Sequence, residues 1–165
     1  MQKFETLCNA LIECDQFVNY AIIERDGKHT KPPVNVNGHT INAQDPTTWR
    51  CYEDAMAASE QIGFVLTSDD PFLFIDLDHV LKDEKLCEWA EKLLSELPTT
   101  YAEISPSGDG LHLYYTLIDI PSIPKHKQNF PDGSALEIYF DGRYFTITGN
   151  VYVDSPIASV NWGEL

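Results

Sequence analysis

Apolar residues recur along the chain in two alternating patterns, one helical and one extended. Helical spacing predicts helices over residues 3–13 and 83–97. Asp45 followed by Pro46 is typical of a capped helix start, and predicts a further helix that runs to about Gln61. Extended apolar runs predict strands, which in chain order cover residues 17–23, 63–67, 72–77, 101–104, 110–117, 135–140 and 143–148. This order predicts an α/β (α+β) fold with a mostly antiparallel sheet and helices on one face.

Two short polar turns predict which strands are neighbours. The turn at residues 68–71 is expected to pair the two strands that flank it. Asp141-Gly142 is a strong hairpin signal and predicts that the strands on either side pair with each other. A simple two-residue turn places Arg143 on the face away from Glu137, whereas a glycine bulge returns Arg143 to the face of Glu137.

Length and composition are those of one globular domain. The 165 residues are 43% hydrophobic, and the chain contains no repeat or low-complexity tract that would mark a linker. The N-terminus lacks the form of a secretory signal and no apolar stretch reaches membrane-spanning length, so we expect an intracellular protein with no membrane partner. None of the cysteines forms a Cys-x-x-Cys pair, and buried free thiols are expected at Cys8, Cys14, Cys51 and Cys87.

The net charge is strongly negative. Eleven basic against 26 acidic residues give −15, which repels a polyanion such as DNA at long range. Part of the acidic excess falls along one predicted helix, where it is typical of a solvated helix face: Asp83, Glu84, Glu88, Glu91 and Glu96. Any contact with nucleic acid is therefore expected to be local or to be supplied by another domain or protein.

Two carboxylates emerge at the end of an uninterrupted apolar run. Residues 72–75 show no polar alternation, which predicts a strand buried on both faces, and Asp76 and Asp78 follow directly. Residues i and i+2 of a strand project from the same face, so both carboxylates point toward one place, where they are costly unless a cation answers them. We expect Mg²⁺ or Mn²⁺, because the chain has no Cys/His ligand spacing that suits zinc. The alternative of a calcium loop is disfavoured, since no Asp-x-Asp-x-Asp-Gly sequence follows.

A second motif is the glycine-rich segment from Ser105 to His112, Ser-Pro-Ser-Gly-Asp-Gly-Leu-His. Small residues allow backbone N–H groups to surround an anion, and hydroxyl groups add donors, which suits a phosphate. A hairpin loop followed by a core histidine is the commoner explanation for such a sequence taken alone. The following strand places His112 on the face opposite Leu111 and Leu113.

A third motif centres on Glu137, which is polar between apolar neighbours in Leu136-Glu-Ile-Tyr-Phe. A lone glutamate on a strand is usually solvent-facing. After the other two motifs, however, Glu137 is a candidate for a third carboxylate at the same site.

Taken together, these motifs resemble the archaeo-eukaryotic primase superfamily, and most closely the primase-polymerase domains of phages and mobile elements. The resemblance covers nearly the whole chain and rests on Asp76-x-Asp78, Ser105-x-Ser-Gly-x-Gly-x-His112, Glu137 followed by Gly142-Arg-Tyr-Phe-Thr-Ile-Thr-Gly, Lys31-Pro32, and Asp45-Pro-Thr-Thr-Trp49. It implies a single catalytic domain over residues 1–165. In that domain an N-terminal α/β subdomain, about 1–60, accompanies a core over about 61–165 that is related to the RNA-recognition fold.

The resemblance also implies an activity, metal-dependent template-directed nucleotidyl transfer by a DNA polymerase or primase. Such chemistry uses two divalent ions held by acidic residues, and Asp76, Asp78 and Glu137 match the catalytic and metal-binding positions. The implied nucleotide-binding residues are Ser105, Ser107, Gly108, His112, Lys31 and Arg143. Lys31 is equally well explained as an ordinary solvated lysine, and Arg143 ranks below the acids because its face depends on the turn.

The resemblance further implies which partners the chain meets. These are a dNTP or NTP, a single-stranded DNA template with its primer, and a helicase or helical accessory domain in a longer protein. A phage or mobile-element enzyme of this kind is expected in the cytoplasm of a bacterial host. Because the chain has few basic residues, we expect extension of a primer rather than autonomous initiation.

Two alternatives of another class remain open. A replication-initiator nuclease shares a similar sheet, but that chemistry uses a His-hydrophobe-His pair, and Leu111-His112-Leu113 contains a single histidine. A non-catalytic interaction module that binds a nucleotide on a primase-like scaffold is the other alternative. The presence of all the expected acidic residues argues against such a loss of catalytic activity.

Overall fold

The computed structural model describes residues 9–118 and 126–161. Its α-helices in this part of the chain are α1 (Asn9–Ile12), α2 (Tyr52–Ala58) and α3 (Glu88–Glu96). The strands of the first half are β1 (Phe17–Tyr20), β2 (Ile23–Arg25), β3 (Lys28–Thr30), β4 (Pro33–Val34), β5 (Ile62–Leu66), β6 (Phe72–Asp78), β7 (Leu81–Lys82) and β8 (Lys85–Leu86). Those of the second half are β9 (Ala102–Ile104), β10 (Leu111–Leu117), β11 (His126–Asn129), β12 (Ala135–Tyr139), β13 (Arg143–Ile147), β14 (Val151–Val153) and β15 (Ala158–Val160).

The chain divides into two compact units, which the described residues fill as follows. The N-terminal unit contains residues 9–67 and 141–147, and the C-terminal unit contains the described residues from 68 to 140 and from 148 onward. The N-terminal unit therefore receives one late strand, β13, from the second half of the sequence.

The N-terminal unit is built on an antiparallel sheet with the strand order β13-β5-β1-β4. β5 is buried along its whole length between its two neighbours, as its apolar sequence predicts. A small apolar cluster of Val18, Ala43 and Val65 packs with Trp49 and Tyr144. The separate hairpin of β2 and β3 accounts for residues 23–30.

The C-terminal unit contains a larger sheet with the strand order β11-β12-β6-β10-β9-β14. Its pairs are antiparallel, except that β15 runs parallel to β10. Leu73, Ile75 and Leu77 of β6 point into one apolar core, against which Leu93 and Leu94 of α3 pack. The predicted fold class, a mixed and mostly antiparallel α/β fold, is confirmed.

Both predicted strand pairings are wrong, and the reason is the same in each case. β6 has β10 on one side and β12 on the other, so it offers no edge to β5. β12 likewise lies between β6 and β11, so the Asp141-Gly142 turn cannot fold β13 back onto it. β13 instead pairs with β5, which places Arg143 opposite Leu66 rather than opposite Phe140. The choice between a two-residue turn and a glycine bulge therefore does not arise.

The helix expected over residues 83–97 begins later than predicted. Leu81–Lys82 and Lys85–Leu86 form a hairpin whose two turn residues, Asp83 and Glu84, have φ angles of 49° and 63°. Two consecutive left-handed residues are typical of a tight hairpin turn and cannot belong to an α-helix. The helix starts after Cys87, and its acidic residues are exposed as expected.

The helix expected from Asp45 to Gln61 is interrupted. The Asp45 carboxylate accepts a hydrogen bond from the backbone N–H of Thr47 at 3.0 Å, so the predicted cap exists, but it caps a short 3-10 turn over Pro46–Thr48. Arg50 then exchanges backbone hydrogen bonds with Phe17, and this bridge breaks the helical path before α2 begins.

Other predictions concern the beginning of the chain and the thiols. The helix expected over residues 3–13 lies partly outside the described residues, which show α1 alone. The strand expected over 17–23 is divided into β1 and the start of β2. Cys8 lies outside the described residues. The other three cysteines form no disulfide within the described chain, and they are half-buried rather than buried: Cys14, Cys51 and Cys87.

Candidate active site

Asp76 and Asp78 lie at the carboxyl end of β6, where the strand emerges from the core. The four residues before Asp76 are buried and Leu77 between the two aspartates is buried as well, whereas both aspartates are half-buried. Leu77 points into the apolar core, so the two carboxylates lie together on the opposite face of the sheet. The predicted buried strand and the shared face of Asp76 and Asp78 are both present.

Five polar residues line up across this face. In the register of the sheet, Lys127 lies opposite Glu137, Glu137 opposite Asp76, Asp76 opposite His112, and His112 opposite Glu103. Directly opposed residues of antiparallel strands share a face and have neighbouring side chains. We call these five residues the polar row. It brings together three sequence motifs that are far apart in the chain.

His112 and Asp76 are close at the centre of the polar row. His112 Nε2 lies 3.6 Å from Asp76 Oδ1. The His112 side chain is 4% exposed and that of Asp76 is 23% exposed, so the carboxylate is the more accessible of the two groups. The strand geometry predicted for His112, with its face opposite to Leu111 and Leu113, is the geometry found.

Glu137 is held by a lysine that the sequence analysis did not assign to the site. Lys127 Nζ donates a hydrogen bond to Glu137 Oε1 from the directly opposed position on β11. The Glu137 side chain is 9% exposed, whereas that of Lys127 is 57% exposed. Lys127 therefore supplies a local positive charge for the Glu137 carboxylate, which lies beside that of Asp76.

The donor set can be compared with the needs of a divalent cation. In the residues that the structure describes, no three His, Cys, Asp or Glu side chains converge closely enough to hold a metal ion as they stand. In type, however, Asp76, Asp78 and Glu137 are the oxygen donors that Mg²⁺ and Mn²⁺ prefer, and they occur on one face of two adjacent strands. The residues fit such an ion in chemistry and register, while Lys127 occupies one carboxylate oxygen.

The serine–glycine loop, residues 105–110, connects β9 to β10 and is tightly folded. The backbone N–H of Ser105 donates to the carbonyl of Gly110, and that of Gly108 donates to the carbonyl of Ser105, both at 2.9 Å. Gly108 has a φ of +85°, which favours glycine. A Cβ on Gly110 would lie 2.6 Å from the carbonyl oxygen of Leu77, so only glycine allows the loop to approach β6 this closely.

The hydroxyl groups of the loop form a short chain. Ser107 donates to Asp109 Oδ1 at 2.5 Å, and the Oγ atoms of Ser105 and Ser107 are 2.8 Å apart. Since each hydroxyl has one proton, Ser105 donates to Ser107. The hydroxyl groups that are expected to face a phosphate therefore donate to partners within the loop.

Asp109 also contacts His79, a residue that the sequence analysis did not assign to the site. His79 follows the last residue of β6 and has a φ of 55°, so it does not continue the side-chain alternation of the strand. His79 Nδ1 lies 2.5 Å from Asp109 Oδ2. The hydrogen bond and the charge of Asp109 raise the pKa of His79. Burial acts to raise the pKa of Asp109, but the hydrogen bonds from Ser107 and His79 outweigh it and lower that pKa.

Glu103 ends the polar row and is fully buried. Its carboxylate accepts hydrogen bonds from the hydroxyls of Tyr101 and Tyr114, at 2.7 and 3.0 Å, and from the backbone N–H groups of Thr148 and Gly149. Burial, and next the charge of Glu103, raise the pKa of Tyr114 well above its usual range. Ala-Glu-Ile read as an ordinary short strand, so the sequence carried no signal for this network.

The two predicted basic residues belong to the N-terminal unit. Arg143 is the exposed first residue of β13, opposite Leu66. Lys31 lies between β3 and β4, and its backbone carbonyl accepts a hydrogen bond from the hydroxyl of Tyr144. The structure therefore places both residues within the N-terminal unit. Tyr144, which follows Arg143 on β13, connects this strand to the segment that contains Lys31 through that hydrogen bond.

Comparison with known proteins decides the family. Residues 14–162 match the family model Prim-Pol, described as the N-terminal domain of bifunctional DNA primase/polymerase. The chain belongs to this family. It is also 48% identical over 139 residues to a protein named DNA primase-polymerase from Nitratiruptor phage NrS-1, in an alignment that covers 79% of this chain and 19% of that protein. The chain thus spans about a fifth of the length of this prim-pol relative.

Membership of the prim-pol family confirms the family resemblance that the motifs carry. It favours the prim-pol assignment over the replication-initiator nuclease. Among the described residues, none of the helices has both the length and the apolar character needed to cross a membrane.

Proposed function

We propose that residues 1–165 form one prim-pol catalytic domain. In this domain the polar row carries out metal-dependent, template-directed nucleotidyl transfer during the replication of a phage or mobile element. The observation that carries the proposal is the register of three adjacent strands, in which Asp76 lies between Glu137 and His112. This arrangement collects carboxylates and a histidine on one face, opposite the apolar core.

Asp76, Asp78 and Glu137 are the residues that would hold Mg²⁺ or Mn²⁺. Bound divalent ions supply activation of a primer 3′-hydroxyl and stabilisation of the leaving pyrophosphate. Glu137 would take part by exchanging its ion pair with Lys127 for the ion. The Lys127 side chain, which is more than half exposed, could then turn toward the phosphates of an entering nucleotide.

The serine–glycine loop and His112 are the elements that would receive the triphosphate. Ser105 and Ser107 can turn their hydroxyl protons from each other and from Asp109 toward phosphate oxygens. Gly108 keeps the loop free of a side chain at its turn. His112, buried and next to Asp76, has little freedom to move, so it would bind a phosphate in a fixed position relative to the carboxylates. Lys31 and Arg143 are retained as further cationic contacts on the family resemblance.

The substrates would be a dNTP or NTP with a single-stranded DNA template and its primer. The strongly acidic chain provides little electrostatic attraction for DNA, which supports extension of an existing primer and assistance from another domain. Since the phage relative is much longer than this chain, a helicase or helical accessory domain in a longer protein is the natural source of that assistance. The site of action would be the cytoplasm of a bacterial host.

Extension of a self-priming DNA hairpin with a single-stranded template tail tests this function. With Mn²⁺ or Mg²⁺ and all four dNTPs, the chain should lengthen the hairpin according to the template, and Asp78→Asn should abolish the product. Glu91→Gln, which alters an exposed acid on α3, is the matched control and should extend normally. Extension that survives in Asp78→Asn, or its absence in the unaltered chain at high hairpin concentration, would contradict the proposal.

A further inference from the structure

The serine–glycine loop is attached to the end of β6 by a contact outside the carboxylate cluster. His79 Nδ1 lies 2.5 Å from Asp109 Oδ2, and the backbone carbonyl of Asp109 accepts a hydrogen bond from the N–H of Leu81 at 2.8 Å. Both bonds join the loop to the segment that directly follows Asp78. We call the His79–Asp109 pair the loop clasp.

The clasp continues into the residues assigned to phosphate binding. Asp109 Oδ1 accepts the hydroxyl proton of Ser107, which in turn accepts that of Ser105. One side chain, Asp109, thus contacts the β6 turn through one carboxylate oxygen and the loop hydroxyls through the other. Because its two oxygens contact different partners, the Asp109 carboxylate fixes the direction of the loop as well as its distance from β6.

The backbone at His79 supports the same conclusion. Its φ of 55° is uncommon for a residue with a side chain, although histidine tolerates it better than most residues. This turn directs the imidazole toward the loop, and Gly110 allows the loop to approach Leu77 closely enough to be reached. Both ends of the contact therefore depend on special backbone positions.

We propose that His79 and Asp109 are positioning residues that hold the serine–glycine loop in the orientation needed to receive a nucleotide triphosphate. The inference rests on the proposed function for the identity of the ligand. The order that the clasp imposes on the loop does not depend on that function. Neither residue needs to touch the substrate for this role.

Charge makes the role testable. A triphosphate is attracted by a cation and repelled by a carboxylate, so electrostatics alone predicts that loss of His79 weakens binding and loss of Asp109 strengthens it. Positioning predicts that both losses weaken binding. His79→Asn and Asp109→Ala are suitable changes, because asparagine tolerates the left-handed backbone at position 79.

The experiment combines hydrogen–deuterium exchange without nucleotide with calorimetric titration of dATP in the presence of Mn²⁺. Each variant should accelerate exchange in residues 105–110 while β6 and β12 stay protected. Each should also weaken dATP binding by roughly two- to fivefold, as expected for loss of an ion pair whose side chains are 63% and 41% exposed. The double variant should bind dATP as tightly as the single variant with the lower affinity, because the two residues act as one unit. Asp83→Asn, which removes an exposed carboxylate from the neighbouring hairpin turn, is the control and should change neither measurement.

The possible results separate the two proposals. Unchanged exchange in the loop, or tighter or unaltered dATP binding by Asp109→Ala, would overturn the positioning role. If the unaltered chain binds no dATP while both variants still accelerate loop exchange, the proposed function fails. The clasp would then order the loop for some purpose other than holding a nucleotide.

Discussion

Glu137 lies directly opposite Asp76 in the pairing of β12 with β6, on the face of the sheet that points away from the apolar core. The same face carries His112 on the other side of Asp76, at 3.6 Å, and Lys127 beyond Glu137. This relationship places two acidic motifs side by side and supplies each with a basic neighbour.

The first prediction concerns the stability cost of the acidic site. Two half-buried carboxylates on one strand next to a third repel one another when no cation is bound. Asp78→Asn should therefore raise the melting temperature of the metal-free chain by about 2 to 4 °C, a shift typical of roughly 1 kcal/mol in a chain of this size. Mn²⁺ should raise the melting temperature of the unaltered chain and leave that of Asp78→Asn unchanged. An equal Mn²⁺ shift in both proteins, measured by thermal unfolding, would rule out Asp78 as a ligand.

The second prediction concerns Lys127. Because its ammonium group occupies an oxygen of Glu137, a cation must compete with it for that oxygen. Lys127→Met should tighten Mn²⁺ binding without nucleotide by roughly threefold and lower the melting temperature of the metal-free protein, since Glu137 then loses its partner.

Lys92→Met provides the control for this change. Lys92 is an exposed α3 lysine whose Nζ lies 3.8 Å from Glu96 Oε1, so its loss changes the net charge equally without removing the partner of Glu137. Calorimetry should find its Mn²⁺ affinity unchanged. Equal effects of the two substitutions would mean that overall charge, rather than competition at Glu137, sets the affinity.

The third prediction concerns the buried carboxylate of Glu103. It accepts hydrogen bonds from the Tyr101 and Tyr114 hydroxyls and from the backbone N–H groups of Thr148 and Gly149, and the Thr148 hydroxyl lies 3.2 Å away. A neutral amide in its place would therefore direct its own N–H toward a donor. Glu103→Gln should lower the free energy of unfolding by roughly 2 to 4 kcal/mol. Urea unfolding measures this loss, with Glu91→Gln as an exposed comparison. A loss of less than about 0.5 kcal/mol, the range of ordinary surface substitutions, would show that the network contributes little.

The fourth prediction concerns Gly110. A Cβ at this position would lie 2.6 Å from the Leu77 carbonyl oxygen and 2.8 Å from Ser105 Oγ. Gly110→Ala should push the loop away from β6 and raise the KM for dNTP more than it lowers kcat. Gly133→Ala is a comparison outside the loop, because its φ of +89° strains the backbone but no atom lies within 4 Å of where its Cβ would stand. The prediction fails if the two substitutions change the steady-state constants alike.

Part of this site could be predicted from the sequence because its signals are local. Asp76-Leu-Asp78 at the end of a buried apolar run fixes both the strand and the shared face of the carboxylates. The serine–glycine segment likewise predicts a tight loop. In each case the period of a strand, or the conformational freedom of glycine, acts over a few neighbouring residues.

Other parts depend on contacts between distant segments. The polar row requires β12 to pair with β6, whereas the local Asp141-Gly142 signal predicted a partner in β13. Lys127 lies in β11, whose four residues are all exposed and show no apolar period by which a strand could be recognised. His79 was missed because its left-handed backbone ends the strand alternation. Strand pairing and single unusual φ angles are set by the whole fold rather than by local sequence.

The central claim is that Asp76 and Asp78 hold a divalent cation with which a nucleoside triphosphate binds. Calorimetric titration of the chain with dATP, with and without Mn²⁺, tests it without the need for DNA. The chain should bind dATP only when Mn²⁺ is present, and the variant carrying both Asp76→Ala and Asp78→Ala should not bind. The charge-matched variant carrying Glu88→Ala and Glu91→Ala, two exposed acids of α3, should bind normally. Binding that is independent of Mn²⁺, or that persists when both aspartates are removed, would contradict the account.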